Sequence, residues 1–210
     1  MAEGIVLQLQ AEALDENVDI ETLLRKAYLV ARKLQLRDFE NWISLEQNGY
    51  KETPPDYRII GGELQAWNPY QGWIPVVIQG KMSNIFNKVP MSHPIATIAE
   101  AYNGSKGSIA FSVSEELTEF LNNNTNSFQT KFRFYSTKIE LKKIISAVRN
   151  RILEWSILLE ENKIIGNGLT FTDTEMKAAR ESPVINNYTN IFHSTSENTQ
   201  IQQGGNGNQQ

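Results

Sequence analysis

Hydrolytic and metal chemistry start from histidines, cysteines and paired acids, and this sequence offers few of them in usable patterns. His93 and His193 are the only two imidazoles among 210 residues. Neither has a second metal ligand at the three- or four-residue spacing that puts two donors on one helical face. His93 stands in Ser92-His93-Pro94, where a helix-cap role fits, and His193 lies in a polar stretch; a nucleophilic triad would need one of them as its base. Cysteine is absent, which removes thiolate zinc sites, disulfides and cysteine nucleophiles together. Glu115-Glu116 and Glu160-Glu161 are neighbours in sequence, and on a helix such pairs point to different sides, unlike the facing carboxylates of a glycosidase. Asn103-Gly104-Ser105-Lys106-Gly107-Ser108 combines glycines, a lysine and hydroxyls. It lacks the Gly-x4-Gly-Lys-Ser/Thr spacing and follows a helix, where a phosphate loop follows a strand. No catalytic residue, metal ligand or cofactor is expected.

Three stretches suit binding better than catalysis. Trp67, Pro69, Tyr70 and Trp73 crowd one hairpin; Trp67, Tyr70 and Trp73, with Arg58 upstream, form a candidate recognition surface. The bland alternative is that such aromatics cover the end of a small sheet. Between Lys131 and Arg151 cations accumulate beside Phe132, Phe134 and Tyr135. Lys138, Lys142, Lys143, Arg149 and Arg151 are the candidates for gripping a nucleic-acid backbone, against the commoner reading of a solvated helix face. From residue 184 onward the chain is rich in Asn, Gln, Ser, Thr and Gly. Its sizeable apolar residues, Val184, Ile185, Tyr188, Ile191, Phe192 and Ile201, are too few to fold alone. Neighbouring copies would have to complete any strand there, which makes these six candidates for self-association; a disordered polar tail is the alternative.

Helices and strands must position these stretches. Ile20, Leu23, Leu24, Ala27, Val30, Ala31 and Leu34 follow the three-and-four spacing of one buried helical face with Asp19 as cap. A second helix over residues 37–48 stops at Gly49, and an earlier one covers residues 4–14. Residues 57–67 alternate as one strand with a bulge at Gly61-Gly62, and after the turn at Asn68-Pro69-Tyr70-Gln71-Gly72 a strand covers 73–79. A helix over 94–102, a strand over 108–112, a short helix over 115–121 and a strand over 128–135 follow. Ser112 with Glu115, Thr137 with Glu140 and Thr172 with Glu175 each have capping-box spacing. The clearest element is a helix over 139–162, with Leu141, Ile144, Ile145, Val148, Ile152, Trp155 and Leu159 in one stripe. A short capped helix then runs to about residue 180 and ends at Pro183. The expected architecture is α+β: helices first, a small mixed or antiparallel sheet with a β-hairpin, a long closing helix against which the sheet packs, and a polar β-prone tail. The expected division is a body over 1–165, a linker with a short helix over 166–183, and the tail over 184–210.

A formal charge of -4 and a pI near 5.3 give no whole-molecule attraction to nucleic acid or anionic lipid. The first basic residue is Arg25 and the apolar runs are short, so neither a secretory leader nor a membrane span is expected and the location should be cytoplasmic.

Several motifs in order resemble one known family. Leu23-Leu24-Arg25-Lys26-Ala27 through Ala31-Arg32-Lys33-Leu34, Phe39-Glu40-Asn41-Trp42-Ile43 and Asn48-Gly49-Tyr50 resemble the opening of the AbiTii family. Pro55-Asp56-Tyr57-Arg58 and Trp67-Asn68-Pro69-Tyr70-Gln71-Gly72-Trp73-Ile74-Pro75 resemble its hairpin, and residues 147–155 its late helix. Gln200-Ile201-Gln202-Gln203-Gly204 is similar to tails on related bacterial immunity proteins. The resemblance implies abortive-infection defence against phage and brings no catalytic residues with it. The expected mode is non-enzymatic: a homo-oligomer, clustered by its tail, that engages an unidentified phage or host protein. A nucleic-acid-binding toxin or nuclease using the basic stripe is the alternative.

Overall fold

A computed structural model describes residues 3–77, 87–124, 129–186 and 188–189. Three helices open the chain, α1 (Ile5–Leu14), α2 (Ile20–Leu34) and α3 (Arg37–Asn48). Asp19 caps α2 by accepting from the Thr22 amide, and Gln35 ends it in the left-handed conformation. All seven expected apolar positions of α2 are buried, and each of the larger five, Ile20, Leu23, Leu24, Val30 and Leu34, leaves water with a gain of about 1.5–3 kcal/mol.

A single turn of 3-10 helix (Asp56–Arg58) leads into β1 (Ile59–Gly61), followed by β2 (Glu63–Asn68) and β3 (Gly72–Pro75). Next come β4 (Lys88–Pro90), α4 (Ile95–Gly104), β5 (Ser108–Ser112), α5 (Glu115–Asn124) and β6 (Phe132–Thr137). The long helix α6 (Lys138–Glu161), then α7 (Asp173–Glu181) and the short α8 (Pro183–Asn186) complete the described elements. The fold is α+β.

The expected single bulged strand over 57–67 is two strands in two sheets. β1 pairs antiparallel with β4, whereas β2 joins a four-stranded antiparallel sheet of order β3-β2-β6-β5. Gly62 is the break: a β-carbon there would lie 2.4 Å from the Tyr135 carbonyl oxygen and 2.6 Å from the Phe134 ring. The alternating pattern persists through the change of partner, which is why the sequence reads as one strand. β3 is shorter than expected, ending at Pro75, and β6 begins at Phe132; the ends predicted at residues 79 and 128 lie outside the described residues.

The main core forms around α6, whose Leu141, Ile144, Val148, Ile152, Trp155 and Leu159 are buried against α1, α2 and α4. Phe39 of α3 stacks on Trp155 with ring centroids 3.8 Å apart and planes 15° from parallel. A smaller core of Leu64, Leu121 and Phe132 holds α5 on one face of the four-stranded sheet. The inner face of the sheet is thus divided: Phe134, Ile109 and Phe111 join the main core around α6, and Leu64 and Phe132 pack under α5.

Of the three capping boxes expected, one forms. Thr172 and Glu175 exchange hydrogen bonds at the start of α7. Ser114, and not Ser112, accepts from the Leu117 amide to cap α5. Thr137 makes no side-chain cap for α6, and the Glu140 carboxylate that would complete a box accepts instead from the Gly61 amide at 3.0 Å and pairs with Lys143. Pro94, with no side-chain bond, is the cap of α4, so His93 does not serve as its cap. Pro183 opens α8 after α7 has ended at Glu181, the first-turn position where its missing N–H has no cost.

Candidate functional site

Strand alternation gives the four-stranded sheet two chemically different faces. Leu64, Ala66, Phe132 and Phe134 point one way, in the register Leu64 opposite Phe134 and Ala66 opposite Phe132, and meet α5 and the core. The other face carries Gln65 opposite Arg133, Glu63 opposite Tyr135, and Trp67 opposite Trp73. At its β5 edge lie Ser108, Ala110 and Ser112, all exposed. On this second face Trp67 and those β5 residues are exposed, whereas Gln65 is buried.

On that face the Arg133 guanidinium sits 4.4 Å from the Trp73 ring centroid and 5.4 Å from that of Tyr135. Its Nε donates to Gln65 Oε1 at 2.8 Å, which fixes the plane of the cation between the two rings. Trp67 meets Trp73 edge to face at 5.4 Å and is 44% exposed. Local chemistry shapes the hairpin: Asn68 Oδ1 accepts from the amides of Tyr70 and Gln71 at 2.8 and 3.1 Å, and Gly72 takes φ +77°. Tyr70 projects from the turn 97% exposed. Beside the hairpin a groove of about 720 Å³ is lined by Trp67, Pro69, Trp73, Ile74, Thr130 and Lys131, among others.

Arg58 does not join this surface. It is fully buried and paired with the equally buried Glu46 of α3. Its Nε donates to Glu46 Oε1 at 3.1 Å, and its Nη1 to the carbonyls of Met91 and His93 at 2.9 and 2.8 Å. Tyr50 and Tyr57 donate their hydroxyls to the same carboxylate oxygen at 2.6 and 2.5 Å, and Trp42 donates to Tyr57 at 2.9 Å. Burial, then the charge of Glu46, push both phenols far above their ordinary range. Burial alone would lower the Arg58 pKa, but the hydrogen bond and charge of Glu46 outweigh it and raise it. The cluster therefore sets a guanidinium and two phenols that resist ionisation around one buried side chain, which suits a structural lock and not proton transfer.

The basic stripe is largely engaged inside the chain. Arg149 donates to the carbonyls of Glu12, Asp15 and Val18, closing the end of α1. Arg151 lies 3.7 Å over the Tyr57 ring. Lys142 pairs with Glu16 at 3.5 Å, Lys143 with Glu140, and Lys138 sits 4.5 Å over the Tyr102 ring. Of the six tail candidates, Ile185 and Tyr188 are buried in the chain's own core. Tyr188 donates to Glu154 at 2.8 Å and to the Arg151 carbonyl at 3.2 Å. Val184 is 59% exposed; Ile191, Phe192 and Ile201 lie outside the described residues, as does His193. Among the described residues no group of three or more His, Asp or Glu is placed to hold a metal ion, and no helix is long and apolar enough to cross a membrane.

Sequence reasoning missed Glu46 and the partnership of Arg133 with the hairpin. Glu46 carries a readable signal: with Phe39, Trp42 and Ile43 it completes the apolar face of α3, and a carboxylate on such a stripe requires a buried cation. Arg133 had none, since its meeting with Trp73 depends on long-range strand register.

The AbiTii family model matches residues 4–183. The chain belongs to the AbiTii family. The match takes in the hairpin, the Glu46–Arg58 cluster and all of α6, and ends at the first residue of α8. Nothing among curated proteins or solved structures matches the chain. AbiTii membership supports a role in abortive-infection defence against phage.

Proposed function

We propose that this AbiTii protein is a non-enzymatic abortive-infection component that assembles as a homo-oligomer and recognises a phage or host component through the outer face of the β3-β2-β6-β5 sheet. The observation that carries the reading is Arg133 held between Trp73 and Tyr135 beside the exposed Trp67. Tryptophan, tyrosine and arginine are the side chains that dominate recognition surfaces: the two aromatics bury much area for little lost rotamer freedom, and arginine adds a planar fork of donors. Here they are already ordered by one another. Repetition of the face in an assembly would add weak contacts together.

The alternative, a toxin gripping nucleic acid with the α6 cations, has less in its favour, since Arg149 donates to three carbonyls of the chain and Arg151 lies over the Tyr57 ring. The test is protection of phage-challenged cells. W67A/W73A should lose at least about tenfold in plaque suppression, the effect of removing central aromatic anchors, while its melting temperature stays near that of the parent. Full protection by a folded W67A/W73A protein would refute the recognition face. A monomer by light scattering at every concentration would refute the assembly.

A further inference from the structure

The occupant of the aromatic face can be narrowed by chemistry. Trp67, Trp73 and Tyr135 present flat rings on one side of an antiparallel sheet, and Arg133 adds a planar cation fixed by Gln65. Four strands at ~4.8 Å spacing make the face roughly 14 Å across, which is room for two or three stacked bases and too broad to enter a duplex major groove of about 12 Å. The β5 edge contributes exposed Ser108 and Ser112 with only Ala110 between them, so flat groups are not obstructed and hydroxyls are available to base edges.

Charge points the same way. Glu63 is the one carboxylate on the face, and its oxygen is occupied by the Gln65 amide. Arg133 on β6 and the exposed Lys131 just before it are cationic, as is exposed Lys106 in the turn leading into β5. On a chain of formal charge -4 this is a local reversal of sign, and it coincides with the stacking surface. Rings that stack without regard to base identity, with cations at the margin, are the elements of sequence-tolerant single-strand binding.

We propose that the outer face of this sheet binds single-stranded nucleic acid, with bases stacked on the exposed Trp67 ring and on the Arg133 plane that Trp73 and Tyr135 support, and the backbone drawn along Lys131. The proposal rests on the reading of this face as the recognition surface.

Tryptophan emission tests it directly. Of the four tryptophans, Trp42 and Trp155 are buried, so quenching by a stacked base must come from Trp67 or Trp73. Full-length protein titrated at low salt with oligothymidine or oligouridine of roughly twelve nucleotides, within the usual span of such sites, should show quenching and micromolar or tighter binding. A duplex of the same length should bind more weakly. W73A and R133A should each weaken binding about tenfold or more, the loss expected for one stacked group, and R133K should not restore it, since lysine keeps the charge without the plane. The conservative W67F/W73F protein should still bind a fluorescein-labelled strand but lose the quenching. Absence of binding at low salt overturns the proposal, and so does quenching that survives in W67F/W73F, or affinity unchanged in folded W73A and R133A. If W67A/W73A loses phage protection while the parent binds no oligonucleotide, the recognition face stands and its occupant is not nucleic acid. If oligonucleotide binds this face yet protection is intact in W67A/W73A, the nucleic-acid assignment stands and the functional reading fails.

Discussion

Glu46 and Arg58 meet with no exposed side-chain surface on either residue, although α3 and the turn before β1 come from opposite sides of a proline pair, Pro54-Pro55. A buried ion pair contributes little net stability over apolar residues of the same shape, but breaking one leaves an uncompensated charge in the interior. Loss of Glu46 would also strand the two phenol hydroxyls that donate to its carboxylate.

R58A is therefore expected to destabilise the protein by about 3–5 kcal/mol, measured by urea denaturation. E46Q should cost about as much, because it leaves the Arg58 cation uncompensated and turns an amide NH2 toward groups that donate to both carboxylate oxygens. A loss below about 1 kcal/mol in R58A would show that water enters to solvate Glu46.

Glu175 ties the exit of α6 to the start of α7, accepting from the amides of Ile165, Gly166 and Thr172 at 3.1, 2.8 and 2.8 Å. Burial alone would raise its pKa, but those backbone hydrogen bonds outweigh it and hold the carboxyl below its ordinary value. A carboxyl depressed in the folded state contributes stability that is complete above its unfolded pKa and disappears as pH falls through the folded one. E175Q should cost about 1 kcal/mol at neutral pH, the usual worth of a helix cap. The gap between parent and variant should close as the solution is acidified below about pH 4, as followed by denaturation midpoints across pH. A gap that widens on acidification would contradict the assigned sign.

Two truncations separate folding from assembly. A chain ending at Thr189 retains Ile185 and Tyr188 in the core and should melt near the full-length temperature. A chain ending at Ser182 loses both and should be destabilised by about 2–5 kcal/mol, the cost of emptying large core positions. Light scattering on the first then reports on assembly alone: an unchanged oligomer would remove residues 190–210 from the self-association scheme.

G62A should be destabilising by about 1–3 kcal/mol, the usual range for overpacking, because the added methyl meets the backbone oxygen of Tyr135 at 2.4 Å and a backbone atom does not swing aside. Thermal melting measures it, and an unchanged midpoint would mean that β1 and β2 shift together to make room.

Local signals carried much of this fold. The limits of α2 follow from Asp19 and the apolar spacing, α6 from its buried stripe, and β5 spans the same five residues that alternation marks. Legibility failed where partners are distant in sequence. Thr137-x-x-Glu140 has the spacing of a cap, yet Glu140 answers the amide of Gly61 seventy-nine residues away. Arg58 sits beside an aromatic in a proline-bounded turn, as surface residues often do, and only the position of Glu46 on an apolar stripe hints at its burial. Likewise the hairpin tryptophans could be found from sequence, whereas the strand that brings Arg133 against them could not.

The passage from Arg58 through β1, past Gly62 and into β2 has a mechanical meaning for the hairpin. Fewer than ten residues of extended backbone separate an interior anchor from Trp67, and extended chain between two paired ladders has little slack. The tryptophan ridge is thereby aimed by the middle of the molecule. A ligand arriving there finds its landing place already held at one angle, so little of the contact energy is lost to arranging it.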